Sequence, residues 1–266
     1  MASSYTATDA QAYERLMGRW SARLAEELIG FAGIETGDRV LDVGCGTGSL
    51  ALALAARPEP AAIVGIDIAA PYIAYAGTRS VDPRLTFLTG DAVALDLPAG
   101  SFDRCFSLLA LNFMSNPAQA LSGMRRVTRP GGVITAAVWD FAGGLVYQRI
   151  FWDTAAALDP EADRPRSRHF SSPLTGRGEL VAAFNEAGLR SVEPVSLAIR
   201  MEYAEFSDYW EPIADAQGPV GDYVKRLPPD RFETLAAAVR RAYLAGRPDG
   251  ARSMAATAWA AHGLVP

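Results

Sequence analysis

The stretch Val40-Leu41-Asp42-Val43-Gly44-Cys45-Gly46-Thr47-Gly48 decides the fold of this chain. It leads from an apolar strand pattern into three closely spaced glycines, and the small apolar residues 49–56 that follow predict a helix. Glycine adopts backbone torsions that are closed to other residues and lets a ligand approach the main chain, while a helix N-terminus points at that ligand. The stretch therefore predicts a strand, a tight turn and a helix that together hold a small molecule.

The acidic residue of this turn indicates which kind of ligand it holds. A dinucleotide-binding turn reads Gly-x-Gly-x-x-Gly and directs the helix dipole at a phosphate. This chain has Gly-x-Gly-x-Gly instead, and Asp42 stands two residues before the first glycine. Because a carboxylate repels phosphate and attracts a cation, we expect an adenosine ligand that carries positive charge in place of a pyrophosphate.

Further segments follow the turn in the order of a doubly wound sheet. They are Ile63-Val64-Gly65-Ile66-Asp67, Leu85-Thr86-Phe87-Leu88-Thr89-Gly90-Asp91-Ala92, Phe102-Asp103-Arg104-Cys105-Phe106-Ser107-Leu108-Leu109-Ala110-Leu111-Asn112 and the turn Arg129-Pro130-Gly131-Gly132. Asp67 ends its strand about 20 residues after the glycine turn, the spacing at which a second strand brings a carboxylate to ribose hydroxyls.

Apolar periodicity predicts the remaining elements. Helices are expected over 9–33, 48–56, 70–79, 117–127 and 179–187, and later strands over 133–139, 190–199 and 252–260. No helix is recognisable between the fifth strand and residue 179. Alternating strand and helix patterns favour a mostly parallel α/β sheet with helices on both faces.

With these motifs in order over residues 39–138, the chain resembles the class I S-adenosylmethionine-dependent methyltransferases. The most similar pattern is that of the ubiquinone/menaquinone-biosynthesis-type (methyltransferase type 11-like) group, whose members act on varied small molecules. The resemblance implies a doubly wound, mostly parallel seven-stranded Rossmann-like sheet with helical lid insertions. It also implies S-adenosylmethionine as methyl donor, S-adenosylhomocysteine as product and a small organic acceptor, aromatic or apolar.

The resemblance also implies a set of cofactor-binding residues. Asp67 would hold the ribose, Asp91 the adenine amino group, the amide of Ala92 the adenine ring, and Arg19 the methionyl carboxylate. Ser107 and Leu108 lie at the carboxyl end of their strand, where such sheets bind ligands. The full set is Arg19, Asp42, Gly44, Cys45, Gly46, Gly48, Asp67, Ile68, Asp91, Ala92, Ser107 and Leu108. The alternative is that the glycines only form a turn and that the acids face water.

Two long inserts, about 140–176 and 200–250, leave and rejoin the sheet on its ligand side and are expected to form a lid. Both are rich in aromatic residues, which either pack the lid onto the sheet or line an acceptor pocket. Asn112, Tyr147 and Trp210 are the expected acceptor-binding residues. Residues 1–266 are expected to form a single domain with an N-terminal helical segment over 1–35.

Methyl transfer from a sulfonium mainly requires alignment of nucleophile, methyl carbon and sulfur. A hydroxyl or protonated amine acceptor also needs a base, and His169 in the first insert is the candidate, with an ionisation expected near neutral pH. The alternatives are that His169 packs or faces solvent, and that the acceptor needs no base.

Composition argues against several other classes of protein. The net charge of −5 and the dispersed basic residues give no footprint for nucleic acid, and Ala110-Leu111-Asn112-Phe113 stands where DNA amino-methylating enzymes carry Asn-Pro-Pro-Tyr. Two cysteines support neither a disulfide framework nor a metal site. With no apolar run long enough for a membrane helix and no charged leader, we expect a cytoplasmic protein. Two alternatives remain open: a dinucleotide-dependent oxidoreductase, and a regulatory protein that binds the cofactor without turnover.

Overall fold

A computed structural model describes residues 9–216 and 218–266. Seven strands form one sheet in the order β3-β2-β1-β4-β5-β7-β6. They are β1 (Arg39–Val43), β2 (Ala62–Asp67), β3 (Leu85–Thr89), β4 (Phe102–Leu108), β5 (Thr128–Trp139), β6 (Arg190–Tyr203) and β7 (Arg252–Leu264). The pairs among β1 to β5 are parallel, and β7 runs antiparallel to both β5 and β6. The predicted doubly wound, mostly parallel seven-stranded sheet is thus confirmed.

Helices cover both faces of the sheet. They are α1 (Ala10–Tyr13), α2 (Arg19–Ala32), α3 (Ser49–Ala55), α4 (Ala70–Gly77), α5 (Pro117–Val127), α6 (Val146–Leu158), α7 (Asp163–Phe170), α8 (Glu179–Glu186), α9 (Phe206–Ala214), α10 (Pro219–Val224) and α11 (Pro229–Leu244). A π-helical turn, Glu14–Gly18, joins α1 to α2.

The central strands are apolar on both sides because each face is covered. Val40 belongs to the core that α2 and α3 build on one face, and Leu41 belongs to the core that α5 and α8 build on the other. Both side chains are fully buried. Continuous apolar runs of this kind are typical of parallel strands.

The N-terminal helical region expected over 9–33 consists of α1, the π-helical turn and α2. Trp20, Leu24 and Leu28 recur at helical spacing and are all buried. Residues 1–8 of the segment expected over 1–35 lie outside the described residues.

The structure corrects the sequence analysis in the first insert, where no helix was recognisable. Residues 146–158 and 163–170 form α6 and α7. α7 is strongly polar and escapes a periodicity search, and it is tied to α6 by an ion pair from Arg166 to Asp153 at 2.8 Å. The sixth and last strands are also longer than expected. β6 continues to Tyr203, which pairs with Arg252, and β7 continues to Leu264, which pairs with Val133 of β5 and Arg190 of β6.

Candidate functional site

The glycine turn lies at the point where the strand order reverses. β1 is flanked by β2 and β4, so its carboxyl end opens into the crevice where α/β sheets bind ligands. The backbone N–H groups of Gly44 and Cys45 both donate to the carbonyl oxygen of Ile66, at 2.8 and 3.0 Å. These bonds fix the turn against the end of β2.

The glycines of the turn serve different purposes. Gly44 has a φ of +74°, and a Cβ added there would overlap the Cβ of Ala110, so this glycine permits close packing against the segment after β4. Gly46 has a φ of +56°, but the nearest atom to an added Cβ is Cδ2 of Tyr72, at 3.9 Å. The space beside Gly46 is therefore open, and a ligand can lie against the backbone there.

Asp42 is the most unusual group of the site. Its side chain is 0% exposed, and neither carboxylate oxygen has a hydrogen-bond partner within the described residues. Burial, with a smaller contribution from the charge of Asp67, raises the pKa of Asp42 to about 8, and the backbone N–H of Ala51 opposes this rise only in part. Because a buried carboxylate without partners is costly, the arrangement fits a ligand that brings a cation to this position.

Asp67 ends β2 and is held by the turn itself. Its oxygens accept hydrogen bonds from the N–H of Gly46 at 2.9 Å and from the N–H of Ala69 at 2.8 Å. Burial raises the pKa of Asp67. A carboxylate has about four acceptor positions, so Asp67 can accept further bonds, as ribose recognition requires. Ile68, the next residue, is 66% exposed and offers an apolar surface beside it.

The adenine residues expected from the resemblance follow β3, the neighbour of β2. Asp67 pairs in register with Thr89, which stands two residues before Asp91. Asp91 is exposed, and its side chain accepts a bond from the N–H of Val93 at 3.0 Å, which caps the short 3₁₀ turn that begins at Ala92. β2 and β3 thus bring Asp67, Asp91 and Ala92 to one edge of the sheet.

The end of β4 completes this edge. Ser107 is buried and donates to the carbonyl oxygen of Val43 at 2.9 Å, and Leu108 is buried beside it. Leu109 has a φ of +60°, a strained value for a residue with a side chain. Asn112 is buried, and its Nδ2 has no partner within the described residues. Asn112 is therefore a second polar group, after Asp42, that is buried at this edge with capacity for a ligand.

The N-terminal segment folds over the glycine turn. The carboxylate of Glu14 accepts bonds from the hydroxyl of Thr47 and from Nη1 of Arg79, the latter at 3.1 Å. Arg79 also donates to the carbonyl oxygen of Thr47 at 3.0 Å. Sequence analysis missed both Glu14 and Arg79, because contacts between residues 33 and 65 positions apart leave no signal in spacing.

Arg19, the expected partner of the methionyl carboxylate, is placed elsewhere. Its guanidinium pairs with Asp208 of α9 at 2.8 Å and lies over the ring of Trp20 at 4.2 Å. Among the described residues, the arginine that contacts the glycine turn is Arg79 and not Arg19. The role expected of Arg19 stays a prediction.

Hydrogen bonds link His169 to Tyr147 through Gln148 in the first insert. The ring Nε2 of His169 is bonded to Oε1 of Gln148, and Nε2 of Gln148 donates to the hydroxyl of Tyr147 at 2.8 Å. His169 also stacks on Phe141 with ring centroids 4.4 Å apart. Phe141 lies 6.3 Å from the ring of Phe113, which follows β4. These contacts connect the first insert to the carboxyl edge of the sheet.

Burial corrects one expectation for His169. It lowers the pKa of His169 to about 4, so the ring is uncharged at neutral pH. The ionisation expected near neutral pH therefore lies several units lower, because the enclosed site disfavours the imidazolium.

Two narrow crevices lie between the N-terminal segment and the lid. They measure about 170 and 240 Å³, including space open to solvent, and both are lined by Leu16, Tyr147 and Ile213. Trp210 lines neither of them and packs with Phe206 at 6.0 Å. Tyr147 lines both crevices and is itself only 3% exposed, while Trp210 is 8% exposed, and the acceptor-binding roles of both residues stay predictions.

Membrane helices and metal clusters are both absent from residues 9–216 and 218–266. No helix in this part of the chain is both long and apolar enough to span a membrane. No group of three or more His, Cys, Asp and Glu side chains in these residues is arranged to hold a metal ion.

Comparisons with known proteins identify the family of the chain. Residues 41–136 match the model of a family described as "Methyltransferase domain". The chain is 30% identical over 209 residues to the 27-O-demethylrifamycin SV methyltransferase of Amycolatopsis mediterranei, a match that covers 73% of this chain and 70% of that protein. It is 34% identical over 113 residues to a ubiquinone/menaquinone biosynthesis C-methyltransferase of Bdellovibrio bacteriovorus, covering 41% and 47% of the two chains.

A solved structure shares the fold. Phosphoethanolamine N-methyltransferase 2 of Haemonchus contortus, in complex with S-adenosylmethionine, superposes with a TM-score of 0.60 at 16% identity, over 98% of this chain and 57% of that one. At this identity the likeness concerns the fold alone. The family match and the relatives identify the family of the chain. The chain belongs to the class I S-adenosylmethionine-dependent methyltransferases, with S-adenosylmethionine as its cofactor.

Proposed function

We propose that this enzyme methylates a small organic acceptor bound between the N-terminal segment and the lid, with the cofactor held at the carboxyl edge of β1, β2 and β4. The single observation that carries the placement is Asp42, a fully buried carboxylate without partners among the described residues, next to the open face of Gly46. An ammonium or sulfonium is the chemistry that such a carboxylate favours. The lid here is α6, α7, α9, α10 and α11.

Each residue of the edge has its own role in this proposal. Asp42 compensates the positive charge of the methionyl part, and Gly46 lets that part lie against the backbone. Asp67 accepts bonds from the ribose hydroxyls, and Asp91 with the amide of Ala92 recognises adenine. The remaining residues of the predicted set, Gly44, Cys45, Gly48, Ile68, Ser107 and Leu108, shape the walls, and Arg19 anchors the lid through Asp208.

When bound, S-adenosylmethionine supplies an electrophilic methyl group. The chain then has to orient the acceptor and exclude water, and orientation alone contributes about 7–11 kcal/mol to such reactions. Asn112 offers a buried amide donor at the edge, and Tyr147 a phenol at the crevice. His169 is a weak base, so we assign it a positioning role, in which it orients Gln148 and Gln148 in turn orients Tyr147.

Titration of the purified enzyme with S-adenosylhomocysteine, followed by transfer of a labelled methyl group to phenols, carboxylic acids and amines, tests the proposal. We expect binding and turnover of at least one class. Stoichiometric binding without conversion of any class would favour the regulatory alternative, and saturable NAD(H) binding would favour the oxidoreductase. Neither alternative is favoured by the relatives, which are methyltransferases.

We also propose that the chain forms a single domain and that the protein is cytoplasmic. The described strands form one sheet, two large cores cover its faces, and a small third cluster of Ala10, Ala69 and Tyr72 joins α1 to α4, in keeping with a single domain that carries a lid. Cys45 and Cys105 are free thiols, as is usual in the reducing cytoplasm.

A further inference from the structure

We propose that residues 9–18 form a strap over the cofactor site, that Glu14 is the latch of this strap, and that the latch sets how fast the cofactor enters and leaves. The latch rests on the proposed function, which places the cofactor against Asp42 and Gly46. It adds to that function a residue that controls cofactor exchange without holding the cofactor.

The chain itself encloses the groups that the cofactor has to reach. Asp42 is 0% exposed, and Thr47 of the glycine turn is 1% exposed. The open space beside Gly46 is bounded by Tyr72, whose Cδ2 lies 3.9 Å from a Cβ added at Gly46. Tyr72 is itself buried. A ligand from solvent therefore cannot reach Asp42 unless part of this wall moves.

The strap forms the outer part of the wall. Tyr13 packs on Tyr72 with ring centroids 5.4 Å apart, and Ala10 lies in a small cluster with Ala69 and Tyr72 that is separate from the two large cores. The buried residues of α1 are both alanines, Ala10 and Ala12, so little apolar surface holds this helix in place. Segments with few buried apolar contacts open most readily, and we therefore expect the strap to be the part that opens.

Glu14 fastens the strap to the glycine turn. Its carboxylate accepts hydrogen bonds from the hydroxyl of Thr47 and, at 3.1 Å, from Nη1 of Arg79. The same nitrogen of Arg79 donates to the carbonyl oxygen of Thr47 at 3.0 Å. The side chains of Glu14 and Arg79 are 20% and 28% exposed, so their ion pair is partly shielded from water. Because the bonds of Glu14 break when the strap lifts, they oppose opening.

Gly18 provides the space that the latch occupies. A Cβ added at Gly18 would overlap the carboxylate of Glu14, which stands one helical turn earlier. Gly18 has a φ of −54° and a ψ of −47°, values that alanine adopts readily. Gly18→Ala should therefore displace the carboxylate without straining the backbone. Gly30 of α2 gives the matched control, because no atom lies within 4 Å of a Cβ added there.

A latch has a kinetic signature that a ligand-binding residue lacks. If the strap closes in the same way over the free and the occupied site, a weaker latch raises the open fraction of both by the same factor. The rate constants for association and dissociation then rise together. The dissociation constant is the ratio of the two rate constants, so it stays the same.

Surface plasmon resonance on the full chain, with S-adenosylhomocysteine as the probe, measures both rate constants. Gly18→Ala and Glu14→Gln should raise each rate constant about three- to tenfold, as the loss of a partly exposed charged hydrogen bond implies, at an unchanged dissociation constant. Gly30→Ala should keep the wild-type rate constants. So should Glu26→Gln, which removes an exposed ion pair to Arg57 at 2.6 Å, away from the glycine turn.

Three results would overturn the inference: wild-type rate constants in both latch variants, a loss of affinity carried by the dissociation rate alone, or equal acceleration in the control variants. Binding of S-adenosylhomocysteine to wild type separates these results from failure of the proposed function. If wild type binds it, the cofactor site stands and only the latch is at stake. If wild type does not bind it, the proposed function fails and the latch fails with it.

Discussion

Cofactor binding should depend on pH through Asp42. In the free protein this carboxyl is buried, lacks partners among the described residues and has a pKa raised to about 8, so it is mostly protonated at pH 7. A bound cation favours the carboxylate. Binding should therefore release a proton, and the affinity for S-adenosylhomocysteine should rise with pH.

The size of the effect follows from the ionised fraction. With a pKa of about 8, Asp42 is about 1% ionised at pH 6 and about 10% ionised at pH 7. The dissociation constant should fall about tenfold over this interval, equivalent to about 1.4 kcal/mol, with about 0.9 proton released per ligand at pH 7. The burial of Asp67 raises its pKa as well, but the two bonds from Gly46 and Ala69 oppose that rise.

Calorimetry between pH 6 and 7, in buffers of different ionisation enthalpy, measures both the affinity and the proton release. This range lies below the usual pKa of an α-amino group, near 7.7–8.0, so the ligand keeps its charge. Asp42→Asn is the matched control, since it keeps the shape and cannot ionise. A flat profile in wild type, or the same slope in Asp42→Asn, would refute the reasoning.

Four further predictions follow from the site. In thermal melts, Asp42→Asn should stabilise the free protein at pH 8 more than at pH 5. Because the pKa of Asp42 is raised in the folded state, the unfolded state binds fewer protons between about pH 4 and 8, and wild type loses stability as the pH rises. An equal change in melting temperature at both pH values would contradict this. Asp67→Ala should weaken S-adenosylmethionine and S-adenosylhomocysteine at least about tenfold by calorimetry, through lost charged hydrogen bonds, and unchanged affinity in a folded variant would remove the ribose assignment. Gly46→Val should abolish cofactor binding. Gly37→Val is the control, because Gly37 also has a positive φ but no atom lies within 4 Å of an added Cβ, and this variant should keep cofactor binding. Normal cofactor binding by Gly46→Val would place the ligand elsewhere. His169→Ala should lower turnover without removing an ionisation near neutral pH, and a loss of such an ionisation from the rate profile would restore the general base.

The sheet and the placement of several predicted site residues at its carboxyl edge could be predicted because both depend on local patterns. Residues 40–56 alone predict the order of strand, glycine turn and helix. Because parallel strands end at the same edge of a sheet, Asp67, Ser107 and Leu108 are then expected at one edge. Parallel strands buried on both faces leave continuous apolar runs, which sequence reading detects readily.

The lid and its contacts could not be predicted, because long-range contacts determine them. α7 is polar, and the ion pair from Arg166 to Asp153 ties it to α6 where periodicity gives no signal. Gln148 acquires its importance only when folding brings His169 beside it. The resemblance assigns Arg19 to the methionyl carboxylate, but the guanidinium contacts Asp208, which lies 189 positions away in the sequence.

The central claim is the position of the cofactor against Asp42, Gly46 and Asp67, and the most direct measurement is a crystal structure of the complex with S-adenosylhomocysteine. The account predicts density for the ammonium beside Asp42, the methionyl part against Gly46 and both ribose hydroxyls within hydrogen-bond distance of Asp67. Density for the ligand elsewhere, or a ribose that does not contact Asp67, would contradict it.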